Sequence, residues 1–195
     1  SVLPLNTFFN LRFLGETAAE SKRVAKSSAK LAAVSSETQE SPWLPTTHRM
    51  IRSDVERNYV LWVDLPPTYD PEGDQTHPLY LCFDAMWTYG TVVDTVRLLA
   101  PTKDLPKAIV VGVAHDEASY RDVIQLRAMD FTTTAVDAPA LTGVRVPGEQ
   151  LGGAEAFRVW TQKEVIPFLK ARYRISESTF IGHSFSALFG VHVLF

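Results

Sequence analysis

Phe180-Ile181-Gly182-His183-Ser184-Phe185-Ser186-Ala187-Leu188-Phe189 reads as a short strand, a Gly-x-Ser turn, a small residue and the opening of an apolar helix. A serine on a sharp strand-to-helix turn is exposed, and its hydroxyl lies near the positive end of the helix that follows. Such a turn is strained and its helix packs tightly back on the strand, so its neighbours must be small. Gly182 meets that need, whereas Ser186 stands where the G-x-S-x-G pattern has a second glycine. A Gly-x-Ser triplet by itself is common in turns. The strand before it and the apolar helix after it make Ser184 the candidate nucleophile.

Upstream of this turn, His48 to Glu56 and Asn58 to Leu65 read as strands, followed by a turn-rich loop from Pro66 to Thr76. Leu79 to Phe83 is a short, continuously apolar strand ending at Asp84, and Val92 to Leu99 is helical. Ala108 to Ala114 (AIVVGVA) is apolar throughout, as expected of a strand covered on both faces. His115 to Gly153 reads as a long irregular stretch, and loops of that length inside a domain usually carry function. In Ala154 to Arg172 the residues Phe157, Trp160, Val165, Phe168 and Leu169 share one helical face, and Pro167 should kink or split that helix. Thr179 to Gly182 is a final short strand, with helix from Ala187 onward. This alternation predicts an α/β domain on a mainly parallel sheet, without internal repeats.

The chain has 195 residues, a size that points to one domain. Lys plus Arg is 19 against 22 Asp plus Glu, a net charge of −3, so no basic excess addresses nucleic acid or an anionic membrane. No apolar run approaches the ~18–20 residues of a membrane span. The single cysteine, Cys82, excludes an internal disulfide and a thiolate zinc site, and suits a reducing, cytoplasmic compartment, export staying open if the true start lies upstream. Residues 1–45 read as an extension or linker: Thr17 to Val34 favours a helix, but its apolar positions are mostly Ala and Val. Glu16, Glu20, Glu37 and Glu40 argue against a transit peptide. The start at Ser1 and the stop at Phe195 within an apolar run lead us to expect that neither is a natural terminus.

From about Thr46 to Phe195, three quarters of the chain, an ordered series of blocks resembles the esterase branch of the α/β-hydrolases. That branch includes enterochelin and feruloyl esterases, esterase D and the mycolyltransferases. Val63-Asp64-Leu65-Pro66-Pro67-Thr68-Tyr69 is similar to its strand ending in Leu-Pro-x-x-Tyr. Leu79 to Met86 resembles its Leu-Asp-Gly loop, and Ile109 to Val113 its next strand. Arg127-Ala128-Met129-Asp130-Phe131-Thr132 is like its Arg…Asp-x-Thr-Pro block. Gly152 to Phe157, Glu164 to Phe168 and Arg172-Tyr173-Arg174 resemble the helix leading to the nucleophile strand. The resemblance implies an α/β-hydrolase fold over 46–195, truncated after the nucleophile strand and the start of its helix.

It also implies roles. Ser184 would attack an ester carbonyl and become acylated, with no cofactor or metal required. The backbone N–H of Phe185 would be one oxyanion donor and that of Met86 the second, each worth ~3–4 kcal/mol in comparable sites. Ala85 stands where the family has Gly, so a φ above zero there would distort the loop. Arg127 is expected either to hold an anionic or phenolic part of a small-molecule ester or to salt-bridge Asp130. Trp87 and Tyr89 either stack on an aromatic acyl group or pack.

A serine needs a base and an acid to orient it, in this fold in the order Ser, Asp or Glu, His. The residues from Phe185 to Phe195 contain no acid, and His192 falls two helical turns on, too far to reach back. His183 is read as packing beside the turn. His48, His77 and His115 precede the serine, and His115, with Asp116 beside it, is the one expected near the sheet's carboxyl edge. The spread of the histidines argues against a metal site. The expectation is therefore a serine-dependent carboxylic ester hydrolase, acting on a siderophore lactone or an aryl or acyl ester, that lacks its triad acid and His within this chain. The alternatives are a non-catalytic binding protein of the same fold, favoured by Ala85 and Ser186 in place of glycines, or an acyltransferase. Oligomeric state is left open.

Overall fold

Strand residues alternate between faces, so a strand buried on both sides supplies two cores at once. In the computed structural model, which describes residues 44–117, 119–134 and 151–194, this is how the sheet is covered. Its strands are β1 (Thr46–Arg52), β2 (Arg57–Asp64), β3 (His77–Phe83), β4 (Ile109–His115) and β5 (Ile175–Ile181), in the order β1-β2-β4-β3-β5. Helix α1 (Ala85–Leu99) lies on one face, where Ala85, Tyr89, Val93 and Val96 pack with Cys82, Val110 and Ala114. The other face gathers Leu79, Leu81 and Phe83 of β3 with Ile109, Val111 and Val113 of β4. It is covered by α2 (Tyr120–Phe131), α3 (Ala154–Trp160), α4 (Ile166–Lys170) and α5 (Phe185–Leu194) through Phe131, Phe157, Trp160, Leu169 and Phe189. Phe83 touches the rings of Phe131, Phe157, Phe180 and Phe189, so residues from four helices and strands meet on one side chain.

Three expectations need correction. The sheet is mixed rather than mainly parallel: β3 pairs parallel with β4 and β5, but β2 pairs antiparallel with both β1 and β4. The cause is topological, since β4 inserts between β2 and β3, and the β2–β3 connection carries no helix. The stretch from His115 to Gly153 is not irregular throughout, because α2 lies within it. Ser119 caps that helix, its hydroxyl accepting the Asp122 N–H. Its buried face carries Arg127 and Asp130 among its apolar residues, so hydrophobic periodicity could not reveal it. Helix α1 begins at Ala85, well before Val92.

The split expected of Pro167 is present. The break lies upstream of the proline, as a π turn over Thr161–Val165 in which the Ile166 N–H reaches the Thr161 carbonyl. A proline ring collides with the carbonyl four residues before it, and one wider turn relieves that collision. The expected apolar face survives, with Phe157, Trp160, Val165 and Leu169 buried and Phe168 packed beside them. The expected extension, including the helix from Thr17 to Val34, lies outside the described residues apart from 44 and 45. Among the described residues no helix is long and apolar enough to cross a membrane.

Candidate active site

Two parallel strands, β3 and β5, are hydrogen-bonded neighbours, pairing Leu81 with Phe180 and Cys82 with Ile181. Each ends in a helix that starts at the sheet's carboxyl edge: β3 runs through Asp84 into α1, and β5 through Gly182 to Ser184 into α5. Both turns hold a non-glycine residue in the left-handed region, Asp84 at φ 56° and Ser184 at φ 56°. That conformation costs an L-residue ~1–2 kcal/mol and is uncommon enough to mark a turn with a task.

At the second turn Ser184 is exposed, and its hydroxyl has no hydrogen-bond partner among the described residues. Gly182 is required by close approach: a Cβ there would lie 2.7 Å from the Ser186 carbonyl carbon and oxygen. Ser186 is fully buried, and its hydroxyl accepts the His183 N–H at 2.8 Å and donates to the His183 carbonyl at 3.0 Å. The departure from glycine at this position therefore ties the turn rather than loosening it.

At the first turn the left-handed residue is Asp84 and not Ala85, which is the first residue of α1. Ala85 is buried against the sheet, where a Cβ on Gly112 would come within 2.8 Å of its own. Ala85 therefore needs no positive φ at this turn. The Asp84 carbonyl accepts the N–H groups of Trp87 and Thr88 at 2.9 and 3.2 Å. The N–H groups of Met86 and Phe185 lie in the first turns of α1 and α5, where helix geometry supplies no intrahelical acceptor.

Arg127 is not paired with Asp130. Its Nε donates to Asp84 Oδ1 at 2.8 Å and its Nη2 to Asp84 Oδ2 at 2.5 Å, and both side chains are buried. Asp130 turns the other way, accepting from Arg52 Nη1 at 3.0 Å, Arg57 Nη1 at 2.6 Å and the Tyr59 hydroxyl at 2.6 Å, and lying 2.8 Å from His115 Nε2. Burial alone raises the Asp130 carboxyl, but the hydrogen bond and charge of His115, with Arg57 and the Tyr59 hydroxyl, outweigh it and hold it below its ordinary value. Burial likewise pushes the Cys82 thiol up to about 12, so it stays a packed, protonated group.

Ser184 and His183 line a cleft of 420 Å³ with Trp87, Thr88, Tyr120, Ile124, Arg127 and Ile181. Trp87 is 38% exposed and meets Tyr120 edge to face, while Tyr89 is buried against Trp62 and packs. The Met86 side chain faces a smaller neighbouring cavity, shared with Trp62, Asp84, Trp87 and His115. Thus Ser184, Arg127 and Trp87 are brought together. Tyr120 and Ile124 were missed because α2 was not legible. Asp84 was missed as a site residue, although an acid directly after a buried apolar strand was a usable signal.

The other histidines are engaged elsewhere. His48 Nε2 lies 2.7 Å from the Tyr173 hydroxyl, His77 Nδ1 lies 2.8 Å from the Lys107 carbonyl, and His115 is held by Asp130. His192 Nε2 stands 3.5 Å from Glu155, as a residue along α5. Among the described residues no cluster has the donors of a metal site.

No protein-family model matches the chain, and no curated protein matches it. Solved structures do. The chain superposes on the BES protein from Bacillus cereus with a TM-score of 0.64 at 21% identity, covering 82% of this chain and 59% of that one. It superposes on the siderophore hydrolase EstA from Aspergillus nidulans with a TM-score of 0.64 at 19% identity, covering 76% and 52%. An IroE-like serine hydrolase from Shewanella oneidensis gives 0.62 at 23%, covering 77% and 46%. The chain thus spans about half the length of these structures. The likeness bears out the resemblance read from the sequence at the level of fold: the five-stranded mixed sheet and its helices are part of the α/β-hydrolase fold.

Proposed function

We propose that this chain carries the nucleophile and oxyanion half of a serine-dependent carboxylic ester hydrolase, acting on small-molecule esters such as siderophore lactones or aryl and acyl esters. The observation that supports the reading is the exposed Ser184, held left-handed between β5 and α5 at the wall of a mostly apolar cleft. Its Oγ attacks the ester carbonyl, the alcohol leaves, and the acyl group remains on Ser184 until water removes it. The Phe185 and Met86 N–H groups, free of intrahelical acceptors, stabilise the oxyanion at both steps. Asp84 and Arg127 neutralise each other beside the cleft, and Trp87 and Tyr120 give it an aromatic wall.

No described histidine is in a position to take the Ser184 proton in the usual chain order. Removal of the base and its orienting acid costs a serine hydrolase on the order of 10⁶ in rate. The chain alone should therefore hydrolyse an activated aryl ester poorly, and the test supplies the base from solution. Added imidazole should raise aryl ester hydrolysis above imidazole's own background, and Ser184→Ala should abolish that increment. An identical rate in wild type and Ser184→Ala would sink the nucleophile assignment and leave the binding-protein reading. Efficient hydrolysis without imidazole, lost in Ser184→Ala, would keep the nucleophile and point to an unconventional base, with His115 the first to substitute.

A further inference from the structure

The two left-handed turns come from separate strands, yet one side chain touches both. The guanidinium of Arg127 chelates the Asp84 carboxylate and lies over the ring of Trp87, its carbon 5.0 Å from the centroid. The same carbon lies 4.9 Å from the centroid of Phe185, the residue that follows Ser184. Arg127 is 8% exposed, and Asp84 is 4% exposed, so charge and rings meet largely out of water, where both kinds of contact are strongest. Helix α2, which presents Arg127, is fixed independently three residues further on, where Asp130 receives Arg52 and Arg57 from the first strands and Tyr59 and His115 from β2 and β4. The two buried charged residues of α2, three apart, therefore serve different sides: Asp130 fastens the helix to the sheet, and Arg127 reaches the turns.

We propose that Arg127 is a positioning residue that couples the Asp84 turn to the Ser184 turn, and so sets the spacing between the Met86 and Phe185 N–H groups. It spends its Nε and Nη2 on Asp84 rather than on substrate, and its planar cation is what bridges two aromatic rings and one carboxylate at once. Lysine would keep the charge and lose both the chelate and the flat face. The significance for oxyanion binding rests on the reading of Ser184 as nucleophile, but the coupling itself is a property of the fold and is measured without any reaction.

Amide hydrogen exchange on the whole chain tests it, read at the Trp87 and Thr88 N–H groups, which bond to Asp84, and at those of Ser186 and Leu188, which bond to His183 and Ser184. In Arg127→Lys both pairs should exchange faster, by roughly tenfold, while the amides of β3 and β4 stay unchanged. Phe185→Leu is the second arm, because it removes a ring from the Ser184 turn and leaves every polar group of the Asp84 turn in place. Coupling requires that this variant also accelerate Trp87 and Thr88. Acceleration confined to the turn that carries the substitution, in either variant, overturns the proposal. If Arg127→Lys loosens β3 and β4 as well, Phe185→Leu decides alone. Since neither readout involves an ester, a negative result here leaves the imidazole experiment on Ser184 standing, and the reverse also holds.

Discussion

The turns after β3 and β5 have the same backbone and opposite side-chain fates. Asp84 and Ser184 both sit at φ 56° between a parallel strand and a helix, at neighbouring places on the sheet edge. Asp84 is buried and its carboxylate is fully engaged by a cation from a third element. Ser184 is exposed, its hydroxyl unbonded among the described residues, and its turn is tied instead by the buried hydroxyl of Ser186 two residues on. The difference teaches where strain is useful. A left-handed residue can be held by its own side chain, which then has no chemistry left to do, or by a neighbour's, which leaves its own side chain free to react.

The largest contrast should come from making both residues glycine, which accepts φ 56° without strain. Asp84→Gly relieves strain but leaves the buried Arg127 without its counter-charge, so denaturant unfolding should show a loss of about 3–5 kcal/mol. A loss below ~1 kcal/mol would mean that the Asp84–Arg127 pair does not hold the first turn.

Next in size, Asp130→Asn should cost about 3 kcal/mol at neutral pH, since Arg52 and Arg57 then lose a buried carboxylate. Its pH dependence has a definite sign. The folded-state pKa of Asp130 lies below 3.8, so its contribution is fully present above that value and is lost as pH falls through the folded pKa. Acid titration of stability should therefore be shallower in Asp130→Asn than in wild type. Parallel acid limbs would assign the acid sensitivity to other groups.

Ser186→Ala removes the tie of the second turn and leaves the His183 N–H without its Ser186 acceptor, at a cost of about 0.5–1.5 kcal/mol. Full stability in this variant would show that the second turn is held by packing of α5 alone. The smallest effect is Ser184→Gly. With no side-chain bond to lose, it should leave stability unchanged or raise it by up to ~1 kcal/mol, while removing the reactive hydroxyl. A clear destabilisation would place Ser184 in the structural class with Asp84 and end the comparison.

The Ser184 turn was legible because its signals are local: a short strand, a small residue at Gly182 and an apolar helix follow one another within ten residues. The strands from Leu79 and Ala108 were legible for a related reason, as burial on both faces writes continuous apolar runs. Helix α2 was not, because its inward face carries Arg127 and Asp130 among its apolar residues. One of the two readings of Arg127, a salt bridge with Asp130, failed for the same reason. Sequence proximity offered Asp130 three residues on, where the fold offered Asp84, 43 residues earlier.

The sequence by itself determined that Leu79 to Phe83 is a buried-type strand, that a short strand precedes Gly182, and that Ser184 stands at a turn before a helix, since these depend on residue type and near neighbours. Only the tertiary structure decided that β4 enters the sheet antiparallel to β2, that Asp84 rather than Ala85 takes the left-handed conformation, and that Arg127 meets both turns. Those are matters of which distant charge lies within hydrogen-bond reach once the core has packed, and a buried carboxylate is paid for by whichever cation the fold brings to it, at any separation along the chain.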